Sequence, residues 1–192
     1  MKQELINLWK EMYKCRKCIS AISLPLPFYI NIEKYDRVLF IGRNPGLPHH
    51  GQYSNETHTK EFSYEEWMKR YESGLKVSNV GNFYQQIARE CKLEFDNFCI
   101  TNICKCSFEN NRELTQKEIN NCLFWLEQQL VILKPDSIIA LGKTASDVLK
   151  QPYFNKYKIF HSLHPTYLIV YNQSKMNFYI QKIAEFINKN KK

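Results

Sequence analysis

The sequence predicts an α/β fold, a three-layer α/β/α sandwich around a central, mainly parallel four-stranded sheet. Four apolar runs rich in β-branched and aromatic residues are separated by segments with helical periodicity. Strands that alternate with helices pair in parallel, because each crossover helix returns the chain to the same end of the sheet. The 192 residues, 44% of them hydrophobic and 14% aromatic, supply one core, so we expect a single domain over residues 1–192.

The predicted strands are short, and the predicted helices are amphipathic. The strands lie at residues 37–41, 98–103, 137–141 and 157–160. The helices lie at residues 2–17, 63–71, 82–91 and 115–133, from about 143 onwards, and at 175–188. Thr115, followed three residues later by Glu118, is typical of a capping box and marks the start of the fourth helix. Residues 43–80 form the longest irregular region and are therefore candidates for functional loops.

Charge and apolar patterning narrow the classes of function. The chain has 27 Lys and Arg against 19 Asp and Glu, and this net charge of +8 favours a polyanionic partner. No run approaches the roughly 18 consecutive apolar residues of a membrane-spanning helix. The first residues, MKQELINLWKEMYKC, are too polar for a signal peptide. We therefore expect a cytoplasmic protein that does not bind membranes.

The seven cysteines point to a metal rather than to disulfides, because the cytoplasm keeps thiols reduced. Cys15 and Cys18 are separated by two residues, which lets both thiolates reach one metal centre. Cys106 is followed by Cys122 after fifteen residues. Four thiolates suit tetrahedral zinc or an iron-sulfur cluster, and spacing does not choose between them. Cys104 competes with Cys106 as a ligand, and the alternative is that Cys106 and Cys122 are buried apolar residues.

Polar residues follow the predicted strands where each strand ends. Asn44 follows VLFIG, Asn102 ends FCITN, and His164 lies in HSLHPTYL after the last strand. Gly142 ends the remaining strand and begins a helix. Each residue alone has an ordinary explanation as a cap, a turn or a packing position. Their common placement at the carboxyl edge of a parallel sheet, where open α/β sheets bind ligands, favours a functional site.

Several motifs together resemble a known family. The segments are CRKC, FIGRNPG, TNICKCSFENNRELTQKEINNC, KPDSIIALGKTA and HSLHPTYL. In content and order they resemble the iron-sulfur (family 4-like) uracil-DNA glycosylases of the uracil-DNA glycosylase superfamily, over about residues 15–170. The resemblance implies a uracil-DNA glycosylase-like fold and a 4Fe-4S cluster held by Cys15, Cys18, Cys106 and Cys122, with zinc as the alternative. It also implies DNA containing uracil or another damaged base as the partner of a monomeric protein.

The implied activity is that of a monofunctional DNA N-glycosylase, which hydrolyses the N-glycosidic bond of uracil or a related deaminated base and so starts base excision repair. Asn102 offers an amide that matches the O4 and N3–H of a flipped pyrimidine. His164 is expected to donate a hydrogen bond to the base O2 as negative charge grows there. Asn44 is not basic, so it holds the attacking water in line rather than deprotonating it.

Three further residues are predicted to contact the substrate. Gly42 belongs to the turn that carries Asn44. Tyr53, the aromatic residue closest to that turn, is the first choice for stacking on the base. Leu168 is expected to enter the minor groove as an apolar wedge that fills the vacated stack, with packing beneath the loop as the alternative.

The first motif departs from the iron-sulfur members, which typically have Gly-Glu-x-Pro-Gly followed by a Glu-Asp pair. Here Arg43 and Asn44 fill the middle of the motif, and His49 and His50 take the place of the acidic pair. The Gly-x-Asn-Pro-Gly pattern resembles the mismatch-specific and single-strand-selective branches instead. These departures motivate the alternative function, a non-catalytic or altered-specificity iron-sulfur nucleic-acid-binding member of the superfamily.

Overall fold

The central sheet is described by a computed structural model that covers residues 1–26, 28–45 and 63–191. Its strands are β1 (Tyr29–Ile30), β2 (Val38–Gly42), β3 (Phe98–Asn102), β4 (Ser137–Leu141) and β5 (Ile159–Ser162). The strand order is β1-β3-β2-β4-β5; β2 to β5 pair in parallel, and β1 pairs antiparallel with β3. The predicted α/β class and parallel strands are confirmed. The sheet has five strands rather than four, because the two residues of β1 are too few to show a strand pattern.

The helices begin largely where capping residues predict them. They are α1 (Lys2–Tyr13), α2 (Tyr64–Lys76), α3 (Asn79–Glu90), α4 (Gln116–Leu133), α5 (Lys143–Leu149), α6 (Pro165–Tyr171) and α7 (Gln173–Asn190). Thr115 and Glu118 form the predicted capping box of α4. Ser63 and Glu66 form another at α2. The short helix α6 was not predicted, because seven residues beginning with proline show little helical periodicity.

Two apolar cores, one on each face, cover the sheet and make the three layers. The strands β2 and β4 are buried along their whole length, so alternate side chains enter opposite cores. Leu39 and Ile41 pack in the core formed by α1, α2, α4 and α5. Val38 and Phe40 pack in the core formed by α3, α6 and α7. The described helices include none that is long and apolar enough to cross a membrane.

The cysteine-bearing part of the chain, residues 14–26 and 104–122, forms a lobe beside the sheet that we call the cysteine lobe. Its small buried cluster consists of Cys104, Cys106, Phe108 and Cys122. Backbone hydrogen bonds from Ile22 N to Ser107 O (3.0 Å) and from Leu26 N to Lys105 O (2.6 Å) join its two segments. Most of this lobe outside α4 is irregular, so specific contacts rather than regular structure hold it.

Candidate active site and cysteine site

The carboxyl ends of the parallel strands bring the predicted polar residues to one edge of the sheet. Gly42, the last residue of β2, is paired in register with Asn102, the last residue of β3. At β4, the Gly142 N–H donates to the Ser162 carbonyl of β5 at 2.8 Å. His164 follows two residues later and caps α6. We call this group of strand ends the carboxyl edge.

Glycines at the carboxyl edge give the neighbouring polar side chains room. A Cβ atom on Gly42 would lie 2.5 Å from the Asn102 Oδ1, which is closer than real Cβ contacts. A Cβ atom on Gly142 would lie 3.2 Å from the Cβ of His164, and Gly142 also has a φ of +86°, which favours glycine. Because neither glycine has a side chain, Asn102 and His164 can approach the backbone closely.

The side chain of Asn44 is held at both ends of its amide. Its Oδ1 accepts a hydrogen bond from Arg43 Nε at 2.8 Å, and its Nδ2 donates to the Pro45 carbonyl at 3.0 Å. One N–H and one oxygen lone pair of the amide remain for other partners. A half-buried amide that is oriented in this way suits the positioning of a water molecule.

His164 is arranged as a neutral hydrogen-bond donor. Its Nδ1 accepts from the Thr166 N–H at 3.2 Å, so the network assigns the proton of the neutral ring to Nε2. Desolvation by the surrounding protein and the nearby charge of Arg43 hold the pKa of His164 below its usual value. The ring is therefore neutral at pH 7 and presents an N–H, although the residue as a whole is exposed.

A buried lysine lies beneath the carboxyl edge. Lys105 is 1% exposed, and its ammonium donates to Thr101 Oγ1 at 2.9 Å, to Gln129 Oε1 at 2.8 Å and to the carbonyl of Asn102. Three acceptors satisfy all three of its N–H bonds. Lys105 immediately precedes Cys106, and its hydrogen bonds connect the end of β3 to Gln129 of α4.

Two residues predicted to contact the substrate, Leu168 and Tyr53, are not found at the carboxyl edge in the part of the chain that the structure describes. Leu168 is fully buried in the core between the sheet and α7, so it is not available as a wedge, and that prediction is wrong for this conformation. The reason is that the residue lies on the inner face of α6, where burial stabilises an apolar side chain. The same helix exposes Tyr167 and Tyr171 instead. Tyr53, His49 and His50 lie outside the described residues.

The four predicted metal ligands surround one cavity. Cys15, Cys18, Cys106 and Cys122 all line a cavity of about 280 Å³ in the cysteine lobe. Within the described ranges, no three His, Cys, Asp or Glu side chains converge closely enough to hold a metal ion. A single zinc ion requires thiolates about 2.3 Å from the metal, whereas a cluster accepts ligands spread around a larger volume. Four thiols around one cavity are a donor set that suits a thiolate-bound metal centre.

Cys104 is separated from that cavity. It is fully buried behind Cys122, with its Sγ 3.4 Å from the Cys122 Sγ, and it does not line the cavity. The hydrogen bond between these thiols lowers the pKa of Cys122 and raises that of Cys104. Burial raises the pKa of Cys106 above its usual range. The position of Cys106 on the cavity wall favours it over Cys104 as a ligand.

Two other polar residues of these sites lie in the motifs that carry the family resemblance, but the sequence alone assigns them no role. Arg112 donates to the two carboxylate oxygens of Glu118 at 2.6 and 3.1 Å and to Ser20 at 2.8 Å, which closes the cysteine lobe. Its charge and hydrogen bonds lower the pKa of Glu118 to about 2. The role of Lys105 was not predicted either, because a buried lysine and a surface lysine look alike in a sequence.

A family profile and curated relatives both show similarity of this chain to uracil-DNA glycosylases. The profile of the Uracil DNA glycosylase superfamily matches residues 31–188. A type-4 uracil-DNA glycosylase of Thermotoga maritima is 28% identical over 131 residues, covering 59% of this chain and 68% of the relative. One from Archaeoglobus fulgidus is 24% identical over 148 residues, covering 77% of this chain and 64% of the relative. The chain thus spans about two thirds of the length of these curated relatives.

A solved structure shares the fold. The crystal structure of SMUG2 from Pedobacter heparinus aligns with a TM-score of 0.52 and 16% identity, over 97% of this chain and 96% of that protein. At this identity the likeness concerns the fold, and it agrees with the α/β architecture described above.

Proposed function

The chain belongs to the uracil-DNA glycosylase superfamily, and from this membership we propose that it hydrolyses the N-glycosidic bond of uracil in DNA. One observation carries the proposal: the carboxyl edge holds Asn44, Asn102 and His164 as three polar groups suited to three separate tasks of that reaction. The curated relatives that the chain matches are named uracil-DNA glycosylases, which supports the same reaction here.

Base recognition is assigned to Asn102. A base must leave the DNA stack before an enzyme can reach its glycosidic bond, and it is then read by hydrogen bonds to its edge. The Asn102 amide presents one donor group and one acceptor, which match the O4 and N3–H of uracil. Gly42 leaves the amide room, and the bond from Lys105 to the Asn102 carbonyl fixes the backbone beneath it.

His164 is assigned to the departing base. As the bond from the sugar to N1 breaks, its electron pair moves into the base and negative charge grows on O2. An Nε2–H that is already in place stabilises that charge without reorganising in the transition state. The hydrogen bond from the Thr166 N–H to Nδ1 keeps the ring in the required tautomer.

Asn44 is assigned to the water. An amide does not remove a proton at neutral pH, so the bond to the base must break far enough for the sugar to become cationic before water adds. The water oxygen then bonds to the anomeric carbon and releases its proton to solvent. The contribution of Asn44 is therefore alignment of the water, which converts an encounter into a positioned step.

The proposed cofactor is a 4Fe-4S cluster on Cys15, Cys18, Cys106 and Cys122. The fit rests on four thiols around one cavity in a lobe that has little regular structure outside α4. When bound, the cluster would tie the segment after α1 to the segment before α4 and to α4 itself, which carries Cys122. Because thiolate ligation links metal binding to folding, the protein should be brown and should lose stability with its metal.

Contact with DNA beyond the flipped base is assigned to the exposed face of α6. Tyr167 and Tyr171 are 46% and 76% exposed, and their rings lie 5.8 Å apart. Tyr167 is three residues from His164, so this face adjoins the carboxyl edge. Aromatic rings stack on unpaired bases at about 1–3 kcal/mol per base, and the net charge of +8 favours the DNA backbone.

The test is base release from a uracil-containing oligonucleotide in single-stranded and duplex form. Alkali cleaves the abasic product, and the strand scission is quantified at stoichiometric enzyme. We expect scission at uracil and none in the same sequence with thymine. Tight binding without scission would establish the non-catalytic alternative, and scission at hypoxanthine or a mispaired base alone would establish an altered specificity.

A further inference from the structure

Arg43 donates four hydrogen bonds, three of which connect the first motif to the segment before α4. Besides the Nε bond to Asn44 Oδ1, its Nη2 donates to the carbonyl of Asn111 at 2.8 Å and to the Asn111 Oδ1 at 2.7 Å. Its Nη1 donates to Glu113 at 3.1 Å. The side chain is 21% exposed, whereas Glu113 is 83% exposed. The fork of a single guanidinium thus faces Asn44 on one side and Asn111 on the other.

The turn that receives this fork has an uncommon backbone. Asn110 and Asn111 have φ values of +53° and +50°, in the left-handed region that asparagine tolerates better than most residues. Two successive residues in this conformation direct the carbonyl and the side chain of Asn111 to the same guanidinium nitrogen. An observed outlier of this kind next to a reaction site supports a functional role for the contact.

The bond from Arg43, together with the bond from Asn44 Nδ2 to the Pro45 carbonyl, fixes the orientation of the Asn44 amide. The terminal torsion of asparagine is broad, so an amide without partners samples both faces. Arg43 donates and cannot accept, so it binds only the oxygen end of the amide. The second lone pair of Oδ1 then remains free to accept from a water molecule, which turns the water oxygen towards the sugar.

We propose that Arg43 is a positioning residue for the reaction, and that it acts by holding the Oδ1 of Asn44 towards the attacking water. The inference deepens the proposed function and rests on it. Arg43 is one of the residues by which the first motif differs from the iron-sulfur pattern, and its hydrogen bonds give that difference a role in the reaction. The guanidinium does not need to touch the substrate for this role.

Nearby electrostatics agree with this arrangement. The charge of Arg43 is one of the causes that keep the pKa of His164 low and its ring neutral. The adjacent Arg112 faces the opposite way and binds Glu118 and Ser20 in the cysteine lobe. The short segment at Asn111 and Arg112 therefore fastens Arg43 to a part of the molecule that the cluster is expected to stabilise.

A double-mutant cycle tests the proposal. Single-turnover base release from uracil-containing DNA is measured for the wild type, Arg43→Ala, Asn44→Ala and the double variant, alongside melting curves and affinity for the same DNA. We expect Asn44→Ala to lower the rate by about 10²-fold and Arg43→Ala by roughly 10- to 100-fold. In the Asn44→Ala background, removing Arg43 should change the rate less than about twofold.

Two further variants test whether the effect requires the guanidinium group of Arg43, rather than its charge alone or the loss of any arginine near β2. Arg43→Lys keeps the charge but loses the Nε donor and the fork, so it should remain slow. Arg37→Ala is the matched control, because Arg37 lies at the opposite end of β2 and binds the Lys134 carbonyl and Asp136. That variant should keep the wild-type rate. The cycle is repeated with Arg43→Gln, so that unfolding of the alanine variant alone does not decide the result.

The outcomes distinguish a failure of the proposed role of Arg43 from a failure of the proposed function. An active wild type whose double variant shows the product of the two single effects would overturn the role of Arg43 and leave the proposed function standing. Wild-type activity in Arg43→Lys would also overturn it, because charge alone would then suffice. A wild type that binds uracil-containing DNA but never releases the base would overturn the proposed function, and the inference with it.

Discussion

The carboxyl edge of the sheet lies between two apolar cores, whereas the cysteine lobe rests on a cluster of four buried residues. At the edge, β2, β3 and β4 are buried along almost their whole length, so their backbone is fixed before any polar contact forms. Only β5, which precedes His164, is partly exposed. In the lobe, most of the chain outside α4 has no regular structure. Its conformation is held by hydrogen bonds between its two segments and by packing of the buried thiols. Burial stabilises one region, and specific contacts stabilise the other.

This difference predicts how substitutions in the two regions should behave. A polar side chain at the edge contributes little to folding, so removing it should lower the rate and leave the melting temperature unchanged. Under the proposed cluster, a ligand thiol in the lobe contributes to folding through metal binding, so removing it should lower the melting temperature first.

The largest expected effect is that of Cys122→Ala in the lobe. We expect it to reduce the free energy of unfolding by about 4 kcal/mol and Tm by roughly 10 °C, because loss of a metal ligand is among the most destabilising single changes. The brown colour should fall with it. The measurements are thermal unfolding followed by circular dichroism, iron content and visible absorption.

Cys91→Ala is the matched control for this change. Cys91 and Cys122 are 5% and 3% exposed, but Cys91 packs in the apolar core of α3 and α7. Its loss should reduce the free energy of unfolding by only about 1 kcal/mol. Equal destabilisation by both variants, with unchanged absorption, would show that Cys122 is an ordinary core residue.

The next largest effect is expected at the edge, from His164→Ala. Removal of one donor to a developing anion typically lowers the rate by about 10², or about 2.7 kcal/mol in the transition state. Tm should fall by only a few degrees, because the residue is exposed and loss of its cap bond to the Thr166 N–H costs about 1 kcal/mol. Single-turnover kinetics and melting curves on the same preparation measure both quantities.

The pH dependence of the wild type tests the protonation state of His164. Its pKa is lowered from 6.5, so the neutral ring is the major form at pH 6.5 and above. The rate should therefore change by less than about twofold from pH 8 down to pH 6.5. If imidazolium were the active form, the rate would instead fall as the pH rises through this range, and His164→Ala would abolish that dependence.

Sequence predicted the edge better than the lobe, for a physical reason. The strands that end at Gly42 and Asn102 are apolar runs that form wherever burial is available. The parallel pairing of β2 to β5 then places Asn44, Asn102 and His164 at the same edge of the sheet. Capping boxes are local, so Thr115 with Glu118 was recognised as the start of α4.

The contacts that sequence could not predict join residues far apart in the chain. Arg43 and Asn111 meet across 68 positions, and the ammonium of Lys105 meets Gln129 across 24. Neither pair has a local signature, because each depends on how the finished layers are placed. Leu168 was misassigned for a related reason: its burial depends on the inner face of α6, a helix too short to show periodicity.

Lys105→Met tests whether the two regions are independent. The ammonium binds Thr101 and the Asn102 carbonyl at the edge, and the residue precedes Cys106 in the lobe. Methionine keeps the apolar stem but removes the donor to all three acceptors, of which Gln129 Oε1 retains its bond from Thr101 Oγ1 at 3.1 Å. We expect a loss of about 2 kcal/mol of stability together with a lower rate. Thermal unfolding and single-turnover kinetics are compared with Lys117→Met, an exposed position on α4. Loss of stability with an unchanged rate would show that the lobe and the edge are energetically separate.

The smallest expected effect, and the sharpest, is that of Gly42→Ala. The added methyl would lie 2.5 Å from Asn102 Oδ1, which is the end of a side chain and therefore moves more easily than backbone. No positive φ is required at Gly42, so alanine fits the backbone, and Tm should fall by no more than a few degrees. The displaced amide should read the base less well, and the rate should fall about tenfold, or about 1.4 kcal/mol. Gly42→Ala in an Asn102→Ala background gives the control, because without the amide the methyl has nothing to displace and should leave the residual rate unchanged. A tenfold fall that persists in that background would place the effect of Gly42 on the backbone of β2 rather than on Asn102.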